Sequence, residues 1–201
     1  MKKIILILFT LILILSVNVL AVDIDIGMPA IDRTGAFGHN TLSVTIINKG
    51  SPANASGMIT QVEIWCTNAY PELNDGNLGN VRVATFYETD TNVLTVRDWE
   101  ALADVPHSQK VVRSVSLNVE QGDYIGIRFF PGSMERDTEG DGMWYLFEDA
   151  IPCTDKTFTL SPTSVISLYG IGAAVGWPHK WNTQTISKWN TQEFTKWNGL
   201  E

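Results

Sequence analysis

Cysteine is scarce in these 201 residues: Cys66 and Cys153 are the only two. An even pair permits one disulfide closing a long loop, worth at best a few kcal/mol; the other reading is two separate buried thiols. Histidine is nearly as rare. His39, His107 and His179 stand singly in turn-like surroundings, so they give no zinc spacing, and none lies near a cysteine in sequence to activate it as a nucleophile. The sequence contains no G-x-S-x-G, no H-E-x-x-H and no phosphate-cradling glycine loop, which removes the most legible hydrolase and nucleotide chemistries. A non-catalytic protein with no required cofactor is the expectation.

Basic charge is also short. The long apolar run from Ile4 to Ser16 follows Lys2 and Lys3 and leads to Val19 and Ala21, small residues spaced as a signal peptidase prefers. Residues 1–21 therefore read as a secretory signal, with a retained membrane anchor as the alternative because the run is barely of spanning length. The protein is expected to be secreted or extracytoplasmic. Without Lys2 and Lys3, 12 basic side chains face 22 acidic ones, a formal charge of −10. That balance argues against nucleic acid as a partner, since phosphate binding needs a basic surface to release counterions. The acidity reads as solubility outside the cell.

Between residues 22 and 172 no long amphipathic helix is written. Apolar residues alternate with polar ones instead, and Gly, Pro, Asn and Asp interrupt them roughly every ten residues. "TLSVTII" places Leu42, Val44 and Ile46 on one face. "MITQVEIWC" sets Met58, Thr60, Val62, Ile64 and Cys66 against Ile59, Gln61, Glu63 and Trp65. "SVSLNV" aligns Val115, Leu117 and Val119, "EQGD" turns the chain, and "DYIGIRFF" aligns Ile125, Ile127 and Phe129. Eight or nine such strands, each sheet with one wet face, predict an all-β antiparallel sandwich, most simply a jelly roll. In "RDWEALADVP" two readings stay open: Asp98 caps a short helical turn, or the segment is an edge strand.

The phrases "TIINKGSPANASGMITQVEIW", "GDYIGIRFF", "ERDTEGDGMWY" and "ISLYGIG" resemble a group of secreted and phage-associated β-sandwich proteins of environmental sequence, some with KWNG-type C-terminal tails. The resemblance covers most of residues 22–201. It implies the sandwich fold and brings no catalytic residues, because the group has no established activity.

Two candidate sites follow from the pattern. Asp137, Glu139, Asp141, Gly142 and Glu148 fall at positions 1, 3, 5, 6 and 12 of the calcium-loop pattern, where a tight glycine turn lets alternate oxygens converge on one ion; a solvated acidic turn between strands is the plainer reading. The same cluster is where a glycosidase carboxylate pair would be sought, a distant alternative. The other candidate is an aromatic plate. Strand alternation points Trp65 outward beside Gln61 and Glu63, and Tyr124, Arg128 and Phe130 outward on a later strand with Gly126 leaving a gap. Rings flanked by polar side chains suit a glycan; otherwise the same rings complete a second small core. Asn54 in "NAS" is a glycosylation acceptor or a turn residue.

Residues 173–201 read as a glycine hinge and a repeat tail. "KWNTQTISKWNTQEFTKWN" repeats every eight residues from Lys180 to Asn198. An even period keeps Trp181, Trp189 and Trp197 on one face of extended chain, and each octad reads as a five-residue strand plus a tight turn. So short a β unit does not stand alone in water and must dock, on its own domain or on a sister chain; a membrane is a poor fit because three lysines leave little apolar depth. Two functions remain open: an extracellular recognition or adhesion module, with a glycan as partner, and a structural subunit of a surface, fibre or virion assembly, a homo-oligomer joined through the tail.

Overall fold

A computed structural model describes residues 23–174; the signal segment and the tryptophan repeat, Trp181, Trp189 and Trp197 included, lie outside the described residues. Among the described residues fourteen strands form two antiparallel seven-stranded sheets. The first holds β1 (Asp23–Gly27), β2 (Gly35–His39), β4 (Gly57–Thr67), β7 (Lys110–Val119), β9 (Gly132–Asp137), β13 (Val165–Ile166) and β14 (Leu168–Ala174). The second runs β11 (Lys156–Thr157), β6 (Val93–Leu102), β5 (Val81–Asp90), β8 (Tyr124–Phe129), β3 (Val44–Asn48), β10 (Met143–Leu146) and β12 (Thr159–Ser161). This is a β-sandwich. Among the described residues the one helical element is a 3-10 turn at Asn74–Gly76.

The alternation in the sequence builds the main core. Val115, Leu117 and Val119 of β7 face Ile125, Ile127 and Phe129 of β8 across the two sheets, all in one buried cluster with Ile26, Val62 and Ile64. A fully buried aliphatic side chain contributes roughly 1.5–3 kcal/mol, so this cluster is the principal source of stability. Gly170 of β14 permits the close approach: a Cβ there would stand 2.6 Å from Ile26 Cγ2 and 2.9 Å from Ile125 Cδ1.

Several expectations are corrected. In "MITQVEIWC" the strand slips by one residue, because β-bulges interrupt its ladders with both β7 and β14. Ile59 is therefore buried and Met58 exposed, the reverse of strict alternation, while Val62, Ile64 and Cys66 keep their inward face. A bulge changes which residues oppose one another and flips the phase beyond it. Leu42 precedes β3 and is 45% exposed. In "GIGAAVGWP", the glycine-rich stretch expected to hinge the body to the tail, Gly170 and Gly172 instead sit in β14, paired with β1 on one side and β4 on the other, and Gly176 lies outside the described residues. "RDWEAL" is strand β6.

The second sheet does not have one wet face. All five residues of β3 are buried, with Val44 and Ile46 in the main core and Ile47 in another. That second core joins Ile47, Ala84, Phe86, Leu94 and Trp144 to Ala150, Ile151 and Phe158. From the segment 147–158, which includes β11 of the sheet itself, Ala150, Ile151, Cys153 and Phe158 thus cover part of the sheet's outer face.

Two long edges are closed by side chains. Asn54 mimics a neighbouring strand on β1: its Oδ1 accepts the Asp25 N–H (3.0 Å), its Nδ2 donates to the Asp23 carbonyl (3.1 Å), and its own N–H donates to the Asp25 carbonyl (3.3 Å). On β7 the Ser116 N–H donates to the Glu100 carboxylate and the Asn118 N–H to that of Asp98, each at 2.9 Å. Asp98 caps a strand edge rather than a helix. Such closures withhold a pairing template from other chains.

Candidate functional site

The six residues of the expected aromatic plate do not come together. Gln61, Glu63 and Trp65 lie on β4 in the first sheet, and Tyr124 and Arg128 on β8 in the second, with Phe130 just beyond it. Glu63 is bound to Lys110 at 2.9 Å and stands cross-strand from Tyr169, whose hydroxyl donates to the Asp25 carboxylate. Burial first, and then that carboxylate, push the Tyr169 phenol up to about 12. Trp65 is half-buried, and its indole N–H is enclosed without a partner among the described residues.

On the second sheet the supposed gap at Gly126 is filled: a Cβ there would meet Phe86 Cε2 and Ile47 Cγ1, each at 2.7 Å. Tyr124 packs edge-on against Trp144 with ring centres 4.9 Å apart and borders the second core. Arg128 is committed to Asp149 (3.1 Å), the Asn80 carbonyl (2.7 Å) and the Ser43 hydroxyl (2.8 Å). Both are structural because segment 147–158 covers them, a long-range fact that alternation does not encode.

Nor do the calcium-pattern residues converge. Asp137 turns to Arg33 (2.9 Å) and to the backbone and hydroxyl of Thr34; the Thr34 N–H first, and Arg33 with it, hold its carboxyl below the usual range. Glu148 pairs with Lys156 across a different strand. Glu139 and Asp141 are exposed in the turn between β9 and β10, and the Asp141 side chain lies against Gly50. Among the described residues no group of three or more His, Cys, Asp or Glu side chains is placed to share an ion.

Cys66 and Cys153 are both free, which corrects the disulfide reading. Cys66 faces the main core, with its thiol donating to the Val105 and Pro106 carbonyls at 3.4 Å each, and burial pushes its pKa up to about 12. Cys153 packs at the second core on the far side of the second sheet.

Concavities lined by the described residues include two at the surface. One of about 480 Å³ lies between Leu146, Phe147, Glu148, Asp155, Lys156 and Thr157. Its charged groups are already engaged: Lys156 binds Glu148, and Asp155 accepts the hydroxyls of Thr89 and Thr95. The other, of about 420 Å³, is made by loops at one end of the sandwich. Half-buried Phe130 and Pro131 line it, with Glu72, Asn74, Asn80 and Asp104 exposed around them.

The loops of this second recess are fixed by backbone pairing. Gly79 N–H donates to the Pro131 carbonyl (3.0 Å) and Phe130 N–H to the Gly79 carbonyl (2.8 Å). Asn80 Nδ2 donates to the Phe130 carbonyl (3.1 Å), and Asn74 Nδ2 to Asp104 Oδ2 (3.1 Å). Asn74 and Asn80 hold left-handed backbone, φ 49° and 47°, a conformation asparagine tolerates better than most residues. Glu72, Asp104 Oδ1 and the two amide oxygens have no partner among the described residues. Of the expected site only Phe130 belongs here. The run "PELNDGNLGN" carries the remaining signal as turn residues, which spell a loop and not what the loop faces. No family model matches the chain, and no curated protein matches it.

Proposed function

We propose that the protein is a non-catalytic extracellular recognition module that holds an uncharged glycan in the recess of Phe130, Pro131, Glu72, Asn74, Asn80 and Asp104. One observation carries the reading: an aromatic ring, a proline, two carboxylates and two amides meet in one concavity whose loops are pinned by main-chain bonds. The ring and proline take the C–H face of a sugar, and the carboxylate and amide oxygens accept its hydroxyls. Loops on a rigid sheet scaffold are where binding residues concentrate. With two acids and no basic residue lining the recess, anionic sugars are repelled. Glu72 and Asp104 are both exposed, whereas a general acid in glycoside hydrolysis needs a desolvated carboxyl, so the geometry supports binding over cleavage.

Saturation-transfer NMR against a panel of neutral oligosaccharides tests this. Binding is expected for wild type, loss of it for Phe130→Ala, and no change for Trp65→Ala. A silent wild type, or equal signals from wild type and Phe130→Ala, overturns it.

A further inference from the structure

We propose that the open edge of β2 accepts, as an added strand, a segment of the C-terminal repeat, residues 180–198, from a second copy of this chain. The proposal stands apart from the glycan reading and uses different residues. Among the described residues β2 pairs with β9 alone. Among the described residues, the bond made on its other side is from the Tyr70 hydroxyl to the Gly38 carbonyl at 3.5 Å. In an antiparallel ladder the peptide groups of alternate residues face the same way, so those of Ala36 and Gly38 point away from β9. The other long edges are guarded: β1 and β7 by Asn54, Asp98 and Glu100, and β6, past its short pairing with β11, by the Cys153 carbonyl on the Val96 N–H and by Asp98 on the Trp99 N–H; β11, β12 and β13 are only two or three residues long.

β2 has none of the usual protections of an edge, which are lysine, proline, a bulge or an inward charge. Its sequence is "GAFGH", within a body where residues 23–174 carry 20 acidic and 9 basic side chains. Beside it lies an apolar landing. Phe37 stacks on Phe147 with centres 5.8 Å apart, and His39 meets the same ring edge-on at 5.4 Å. Phe147 remains 44% exposed.

The repeat matches this edge in length, face and charge. The sequence pattern of a full octad reads as five residues of strand and a turn, and β2 offers five residues. On an extended chain the even spacing of Trp181 and Trp189 would set their rings on one side, where a ring could meet Phe147 while the backbone pairs with β2. Residues 175–201 carry three lysines against two glutamates, which favours contact with an acidic body. Among the described residues one chain supplies one such edge, while its repeat holds two full octads and the start of a third, so an edge for a second octad comes from a further copy.

Light scattering over a dilution series, on the chain without residues 1–21, provides the test. Wild type is expected to self-associate. Ala36→Pro, which removes an outward donor, and the combined Trp181→Ser, Trp189→Ser, Trp197→Ser chain are each expected to be monomeric. A mixture of the two variants is expected to associate, because one keeps the repeat and the other keeps the edge. Hydrogen exchange on wild type should slow by at least about tenfold at the Ala36 and Gly38 amides as concentration rises. A monomeric wild type, an Ala36→Pro chain that associates normally, or a mixture that stays monomeric overturns the proposal. If Ala36→Pro fails to fold, the exchange measurement decides, and amides indifferent to concentration overturn it.

Discussion

Removing the amide of Asn48 should loosen the join between the two sheets. Asn48 ends β3 in the second sheet and is 1% exposed, yet its side chain bonds to the first sheet. Nδ2 donates to the carbonyls of Ile166 (3.2 Å) and Leu168 (3.1 Å), and Oδ1 accepts the Ile166 N–H (3.1 Å). These three groups flank Ser167, where β13 ends and β14 begins, so the amide satisfies the backbone at a break in the ladder. In Asn48→Ala all three are left buried. At a net contribution of about 1 kcal/mol per hydrogen bond, and more where a buried group stays unpaired, the loss is about 3–4 kcal/mol. For a domain of this size that lowers Tm by roughly 6–16 °C. Asn48→Asp keeps the acceptor, but turns a negative charge toward two carbonyl oxygens, and should be no better. Urea unfolding followed by tryptophan fluorescence measures the effect as a shift in midpoint at unchanged slope. A loss below about 1 kcal/mol for Asn48→Ala would refute the reasoning, since three orphaned buried groups cannot cost so little.

Three further outcomes are expected. Asp123, 2% exposed, accepts Arg97 Nη2 (3.1 Å), Arg97 Nε and the Glu120 N–H (2.8 Å); Asp123→Ala should lose about 2–3 kcal/mol in urea unfolding because it removes all three bonds and leaves Arg97 with Glu120 alone as its ion-pair partner among the described residues, and an unchanged midpoint would contradict that. Native protein at pH 8 should leave Cys66 unlabelled by iodoacetamide, and denatured protein without reductant should take up two labels; an intact mass two hydrogens short would instead mean a disulfide. The Asp137 carboxyl is depressed in the folded state, so its stabilisation is present above the unfolded value of about 3.9 and fades as pH falls through the folded one. Asp137→Asn should therefore be the less stable chain at pH 7, with the gap closing below about pH 4; a gap that widens in acid would reverse the assignment.

How much was legible in the sequence can be judged residue by residue. Alternation placed Val115, Leu117, Ile125 and Ile127 in the core because β7 and β8 keep the in-and-out period of two there, even beside the register shift between β4 and β7. It misplaced Met58 and Ile59 because a bulge carries no compositional mark in "MITQ". It took Tyr124 and Arg128 for a surface because the cover comes from residues 147–158, distant in sequence and irregular in structure. The calcium pattern records spacing along the chain, whereas Arg33 and Lys156, brought in from elsewhere, decide where Asp137 and Glu148 point. The candidate recess was nearly invisible: its members come from three separated loops, and of them only Phe130 stood out as an outward ring.

The commitment of Asn54 to the margin of β1 bears on how this protein is best produced. Its Asn-Ala-Ser triplet is read by the oligosaccharyl transferase of a eukaryotic secretory host before the chain folds. A sugar attached there would take one of the two amide hydrogens and crowd the flank that the side chain now shields. Production in a host without that enzyme keeps the amide unmodified, and comparing the two preparations by melting temperature would show how much of the N-terminal strand's anchorage depends on one nitrogen.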